Sequence, residues 1–145
     1  IQSVVDDYNN IYKFKKNISI NYQNDGKSEY LIYGIENRIE QIVANLLDNS
    51  ISFSDDGSEV IVNVSNGLEK KVIVKILDEG QGFKEKDTSK IFNRFYSNRP
   101  ENFGEHSGLG LNIVKNLVEL HDGKIEASNR LDKQGASIEI KFPSL

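Results

Sequence analysis

The strongest constraint on the fold is a change of hydrophobic period part-way along the chain. Residues 35–54, IENRIEQIVANLLDNSISFS, repeat apolar side chains at helical spacing, whereas the runs that follow, EVIVNVS and KKVIVKILD, alternate residue by residue. At about 100° per residue, Ile39, Ile42, Val43, Leu46, Leu47 and Phe53 share one arc of a helix. Arg38, Gln41, Asn45, Asn49 and Ser52 form a polar stripe beside it. The two alternating runs predict an antiparallel hairpin turning at Asn66 and Gly67. Further on, GLGLNIVKNLVELHDG reads as a second amphipathic helix with a glycine stop, and KIEASN and ASIEIKF as two closing strands. Upstream, residues 1–12 read as a short helix. NISINYQ reads as a strand, Asn24-Asp25-Gly26 as a turn, and EYLIYG as another short strand.

Strands grouped in pairs with helices between the groups predict an α+β class. The expected architecture is a two-layer α/β sandwich, a mixed, mostly antiparallel sheet covered on one face by helices. A doubly wound parallel sheet would need strict alternation of strand and helix. The 145 residues, 37% hydrophobic with 2 Pro, suffice for one core and predict a single domain over 1–145. The net charge of −4, without a basic run, disfavours nucleic acid and anionic membrane surfaces as partners. The absence of Cys removes disulfides and thiolate chemistry. No apolar run approaches the roughly 18 residues of a membrane span, and Ile1 opens no charged-then-apolar leader. The chain therefore reads as a soluble piece excised from a longer protein.

Four segments could carry chemistry, and each has a plainer reading. Asn45 and Asn49, four apart, share a helix face, and an amide oxygen is a neutral hard ligand suited to Mg²⁺; they could equally be a solvated pair. DEGQGF, residues 78–83, places Asp78 where a strand runs out, followed by Gly80 and Gly82, which allow close approach of a flat ligand. A carboxylate there would accept from the adenine amino group, although Asp and Gly are also ordinary turn residues. GEHSGLGL, residues 104–111, opens a helix with Gly108 and Gly110, where backbone N–H groups and the helix dipole favour phosphate. It is not a Walker A loop, because no GK[ST] follows. Between the two glycine motifs, KIFNRFY makes an apolar patch of Ile91, Phe92, Phe95 and Tyr96 bearing Arg94, either a hinged cover or a simple tether.

In this order and spacing, NLLDNS, DEGQGF, IFNRFY and SGLGL resemble the N, G1, F and G2 boxes of the catalytic ATP-binding domain of bacterial sensor histidine kinases. That domain has the Bergerat-type fold, shared with gyrase B, the ninety-kilodalton heat-shock chaperones and MutL. The resemblance runs from about Asn17 to Phe142, and within the family leans toward envelope-stress sensors of the alphaproteobacterial type.

The resemblance implies ATP and Mg²⁺ as ligands. Asn49 would supply an oxygen to the metal, Asn45 would lie beside the phosphates, and Asp78 would receive the adenine amino group. Gly80, Gly82, Phe53 and Phe83 would shape the purine pocket. Ser107, Gly108, Leu109, Gly110 and Leu111 would flank the triphosphate. A lid between Phe83 and Gly108 would be anchored by Phe92 and Phe95, with Tyr96 beside them. Many members carry a cation three places after the second Asn; here Ser52 stands there, so Arg94, Arg99 or Lys115 must share the phosphate charge with the metal. ATP-hydrolysing relatives have a Glu base where this chain has Asn45, and an amide cannot take the proton. The implied reaction is therefore phosphoryl transfer to a histidine of a dimerisation domain outside this chain, with slow hydrolysis. Neither His106 in the lid nor His121 at a helix end reads as that acceptor. The implied setting is the cytoplasmic part of an inner-membrane sensor that is homodimeric at full length, monomeric as this piece, and coupled indirectly to a response regulator. A non-catalytic nucleotide-binding or docking module, or a serine kinase of the anti-sigma type, are the other functions this resemblance leaves open.

Overall fold

The computed structural model of the chain describes residues 1–15, 17–26, 30–84, 88–92 and 109–144. Helix α1 (Gln2–Lys15) leads to strand β1 (Ser19–Asn24), helix α2 (Glu36–Ser52) and the hairpin of β2 (Glu59–Gly67) and β3 (Lys71–Leu77). A short 3-10 helix (Thr88–Phe92), helix α3 (Leu109–Leu120) and the hairpin of β4 (Lys124–Asn129) and β5 (Ala136–Pro143) follow. The strands form one five-stranded sheet in the order β1-β2-β3-β5-β4. β1 runs parallel to β2, and the other neighbours are antiparallel. The sheet is thus mixed and mostly antiparallel, as the grouping of the strands predicts.

Alternation decides which side of the sheet is dry. Val60, Val62 and Val64 of β2, Val72, Val74 and Ile76 of β3, and Ile138, Ile140 and Phe142 of β5 are buried in one cluster. Onto it α2 presses Ile42, Val43, Leu46, Leu47 and Ile51. Val114 and Val118 of α3 complete the helical layer. The arc read from the sequence holds for α2, with Ile39 and Phe53 half-buried at its margins. Along the outer strand, the carboxamide of Asn9 on α1 meets the backbone of Ile20: Oδ1 accepts its N–H at 2.7 Å and Nδ2 donates to its C=O at 2.8 Å.

Three local expectations change. EYLIYG is not a strand: residues 30–35 have irregular backbone. The alternation there is real, since Tyr30 and Ile32 lean on the core while Tyr33 is 84% exposed. No strand among the described residues lies alongside to complete a ladder. The β2–β3 hairpin turns not at Asn66 and Gly67, which pair with Val72 and Lys71, but over the next three residues, Glu69 and Lys70 having positive φ of 59° and 55°. Gly67 answers a packing need instead, because a Cβ there would come within 2.5 Å of Ile73 Cδ1. At the end of α3 the left-handed residue is Asp122 (φ 58°) rather than Gly123. Gly123 N–H donates to Val118 O and Asp122 N–H to Glu119 O, the paired bonds of a Schellman ending.

His121, in that ending, ties α3 to the start of α2. Its Nε2 accepts the N–H of Ile35, the residue before α2, at 3.1 Å. The proton therefore sits on Nδ1, which donates to Leu117 O at 2.7 Å. The ring also meets Phe142 edge-on, with centroids 6.5 Å apart. Both nitrogens are thus spent on backbone, which agrees with the reading that His121 is a helix-end residue and not an acceptor. Replacing His121 with Ala should lower unfolding free energy by about 1–3 kcal/mol, the net worth of two hydrogen bonds, measured as a shift of the urea midpoint at constant slope.

Candidate functional site

The expected site begins where β3 ends. Asp78 is 2% exposed, and burying a carboxylate there requires donors. Its Oδ1 accepts the N–H of Gly80 at 2.9 Å and of Ala136 at 3.0 Å. The main chain of Asp78 is held too: its N–H donates to Ala136 O at 3.0 Å, and its C=O accepts from Arg130 Nη1 at 3.1 Å. Arg130 is in turn fixed by Asp132 through Nε and Nη2, at 3.0 and 2.8 Å. Neither Ala136 nor Arg130 belongs to a motif visible in the sequence.

The glycines of DEGQGF stand where side chains cannot. A Cβ on Gly80 would lie 2.6 Å from the carbonyl oxygen of Phe53, so this loop presses against the C-terminal end of α2. Gly82 has φ of 77°, and a Cβ on it would lie 2.5 Å from Asn129 Oδ1. Phe83 is buried in the core. Just before Gly80, Glu79 reaches back, its Oε1 accepting Glu59 N–H at 2.6 Å and its Oε2 lying 3.3 Å from Lys133 Nζ.

Asn45 and Asn49 lie half-buried on α2, and Asn49 is one turn before Phe53, whose carbonyl Gly80 touches. The Nδ2 of Asn49 is buried without a hydrogen-bond partner among the described residues. A half-turn of the carboxamide would put oxygen in the same place. This orphaned amide suits a cation whose remaining charge is met by a ligand, and no cluster of three or more His, Cys, Asp or Glu among the described residues would hold a metal by itself. The residues present therefore fit Mg²⁺ bound together with phosphates.

Ile91 and Phe92 of the 3-10 helix are core residues, and Phe92 O accepts from Asn112 Nδ2 of α3 at 3.2 Å. This part of the expected lid is a tether. Leu109 opens α3, and Gly110 is exposed with nothing among the described residues within 4 Å of where a Cβ would stand. Leu111 is half-buried against the core. Lys115, half-exposed, lies 3.9 Å from Glu119. Arg94, Phe95, Tyr96, Arg99, His106, Ser107 and Gly108 lie outside the described residues.

Residues 34–145 match the family described as histidine kinase-, DNA gyrase B-, and HSP90-like ATPase. The chain belongs to this family. Among its relatives, the sensor protein ChvG of Agrobacterium fabrum is 36% identical over 149 residues, covering 98% of this chain and 25% of ChvG. The expected likeness to alphaproteobacterial sensors is met. The chain spans about a quarter of the length of the ChvG relatives it matches. A mycobacterial sensor histidine kinase, MprB, superposes with a TM-score of 0.81 at 24% identity, covering 99% of this chain and 93% of that one. Full-length ShkA, solved in complex with AMPPNP, superposes with a TM-score of 0.80 at 23% identity, over 99% of this chain and 30% of ShkA. The fold is that of histidine-kinase catalytic domains, and the chain is an ATPase-type catalytic domain of the kind sensor kinases carry. No helix among the described residues is long and apolar enough to cross a membrane.

Glu79 gives this ATPase-type domain an acid-sensitive tie. The Glu59 N–H holds its carboxyl below the ordinary 4.5, helped by Lys133 and Arg130 and opposed by partial desolvation. Because the folded value is depressed, the contribution is present above the unfolded value and is lost as pH falls through the folded one. The stability difference between the native protein and Glu79→Ala, from urea midpoints, should be constant near neutrality and shrink below about pH 4.5.

Proposed function

We propose that this domain binds ATP with Mg²⁺ and transfers the terminal phosphoryl group to a histidine of a dimerisation domain outside the chain, in two-component signalling. The carrying observation is the buried Asp78 carboxylate, set at a strand end beside a glycine loop that abuts the end of the Asn49 helix. Asp78 accepts from the adenine amino group, a contact that guanine, with an acceptor at that position, does not offer. Gly80 and Gly82 keep the loop flat beneath the purine, and Phe53 and Phe83 wall it. The side-chain oxygen of Asn49 would help to hold Mg²⁺ together with the phosphates, with Asn45 beside them. The metal, when bound, neutralises charge on the phosphoryl oxygens and orients them for in-line attack.

Residues 107–111 flank the phosphates, the first residues of α3 offering them backbone N–H groups, and Arg94 stabilises charge on the transferring group. An imidazole nitrogen of the acceptor forms a bond to the γ-phosphorus as the bond to the β-phosphate oxygen breaks, releasing ADP. Asn45 cannot serve as base for water, so transfer outruns hydrolysis. Residues 1–145 act as one domain, monomeric alone. The full-length protein is a homodimer whose catalytic part is cytoplasmic and whose phosphohistidine supplies a response regulator.

Asp78→Asn keeps an oxygen for the Gly80 and Ala136 bonds but presents a donor to the adenine amino group. ATP affinity should fall by about ten- to a hundredfold, the worth of one hydrogen bond to a charged group. Calorimetric titration beside the apo melting temperature checks it; unchanged affinity refutes the adenine contact. Asn49→Ala should remove Mg²⁺-dependent transfer to the acceptor domain while leaving apo melting nearly unaltered, assayed with labelled ATP in the full-length kinase.

A further inference from the structure

Both ends of the loop that carries Gly80 and Gly82 are held by one hairpin end, where β4 passes into β5. At its start, Asp78 is bound through N–H, C=O and Oδ1 by Ala136 and Arg130. At its finish, the carboxamide of Asn129 grips Phe83 at two points: Oδ1 accepts Phe83 N–H at 2.6 Å, and Nδ2 donates to Phe83 C=O at 3.0 Å. Asn129 ends β4 and pairs with Ala136, so the two grips share one register. The Arg130 side chain is only 4% exposed, which makes that register stiff. Gly135 (φ 150°) lets the hairpin close on the strand end, since a Cβ there would lie 2.0 Å from Asp78 O. Against this frame, Gly82 cannot shift toward the hairpin, because Asn129 Oδ1 occupies the place of its missing side chain.

We infer that Asn129 is a positioning residue for nucleobase selection: through Phe83 it fixes the path of residues 79–82 relative to Asp78 and so sets preference for adenine over guanine. The inference rests on the reading of Asp78 as the adenine acceptor. Its physical basis is a two-point grip. One hydrogen bond leaves the peptide of Phe83 free to rotate about the contact, whereas a donor and an acceptor on the same rigid amide fix both its height and its orientation. Without the grip, the loop still connects β3 to Phe83, whose ring stays anchored in the core. The glycines would then sample several paths, and the selective hydrogen bond would be made in only a fraction of them, lowering apparent affinity by that fraction. Asn129 is itself exposed, so its replacement removes the grip without opening the core.

The test uses this 145-residue chain. Dissociation constants for Mg-ATP and Mg-GTP are measured for the native protein, Asn129→Ala and Asn129→Asp, together with apo melting temperatures and hydrogen exchange at the Phe83 amide. Asn129→Ala should weaken ATP binding about tenfold, as when the released loop takes the competent path about one time in ten. It should narrow the ATP-to-GTP ratio and accelerate Phe83 exchange, with only the modest fall in melting that two lost hydrogen bonds bring. Asn129→Asp, which keeps the acceptor for Phe83 N–H and loses the donor, should fall between. Equal loss for both nucleotides in step with a drop in melting would make Asn129 merely structural and overturn the inference, as would unchanged ATP affinity and selectivity in Asn129→Ala. Failure of the native protein itself to bind ATP would instead bring down the nucleotide reading and this inference with it.

Discussion

A carboxylate with almost no access to water organises the business end of this fold. Asp78 is tolerable at the end of β3 because two main-chain N–H groups converge on one of its oxygens, one from its own loop and one from β5. Those bonds dictate that the loop bends back at Gly80 and that β5 begins level with the end of β3. The bend brings Gly80 against Phe53 O, and the level start of β5 gives Arg130 its hold on Asp78 O. A buried carboxylate thereby becomes a structural demand met by three separate stretches of chain.

The layer architecture was legible because it depends on patterns that repeat. The helical arc of residues 39–51 and the strict alternation of β2, β3 and β5 each report a single dry face, and the dry faces meet. What escaped was set by partners distant in sequence. EYLIYG alternates like a strand yet has no neighbour to pair with among the described residues, and single-chain periodicity cannot report a neighbour. Gly67 looks like a turn residue because glycine serves both turns and close contacts; only the position of Ile73 shows which is meant.

The site divides in the same way. Asn49, Asp78, Gly80 and Gly82 stood out because amide, acid and glycine in that order are unusual together and match a family pattern. Their supports did not: Asn129, Arg130 and Ala136 lie about fifty residues downstream in a stretch that reads as an ordinary hairpin, and their worth comes from main-chain hydrogen bonds, reached by the side chains of Asn129 and Arg130 and offered by the N–H of Ala136. The one advance signal was indirect, since a glycine barred from bearing a side chain implies something occupying that space.

The Asn9 carboxamide on Ile20 has a bearing beyond the packing of α1. β1 is an outermost strand, and such a margin invites annexation by the backbone of another molecule. By filling both the donor and acceptor of Ile20, a single side chain imitates a neighbouring strand and closes the first part of that margin. A protein held at high local concentration beside identical copies would gain from this guard against cross-chain sheet growth.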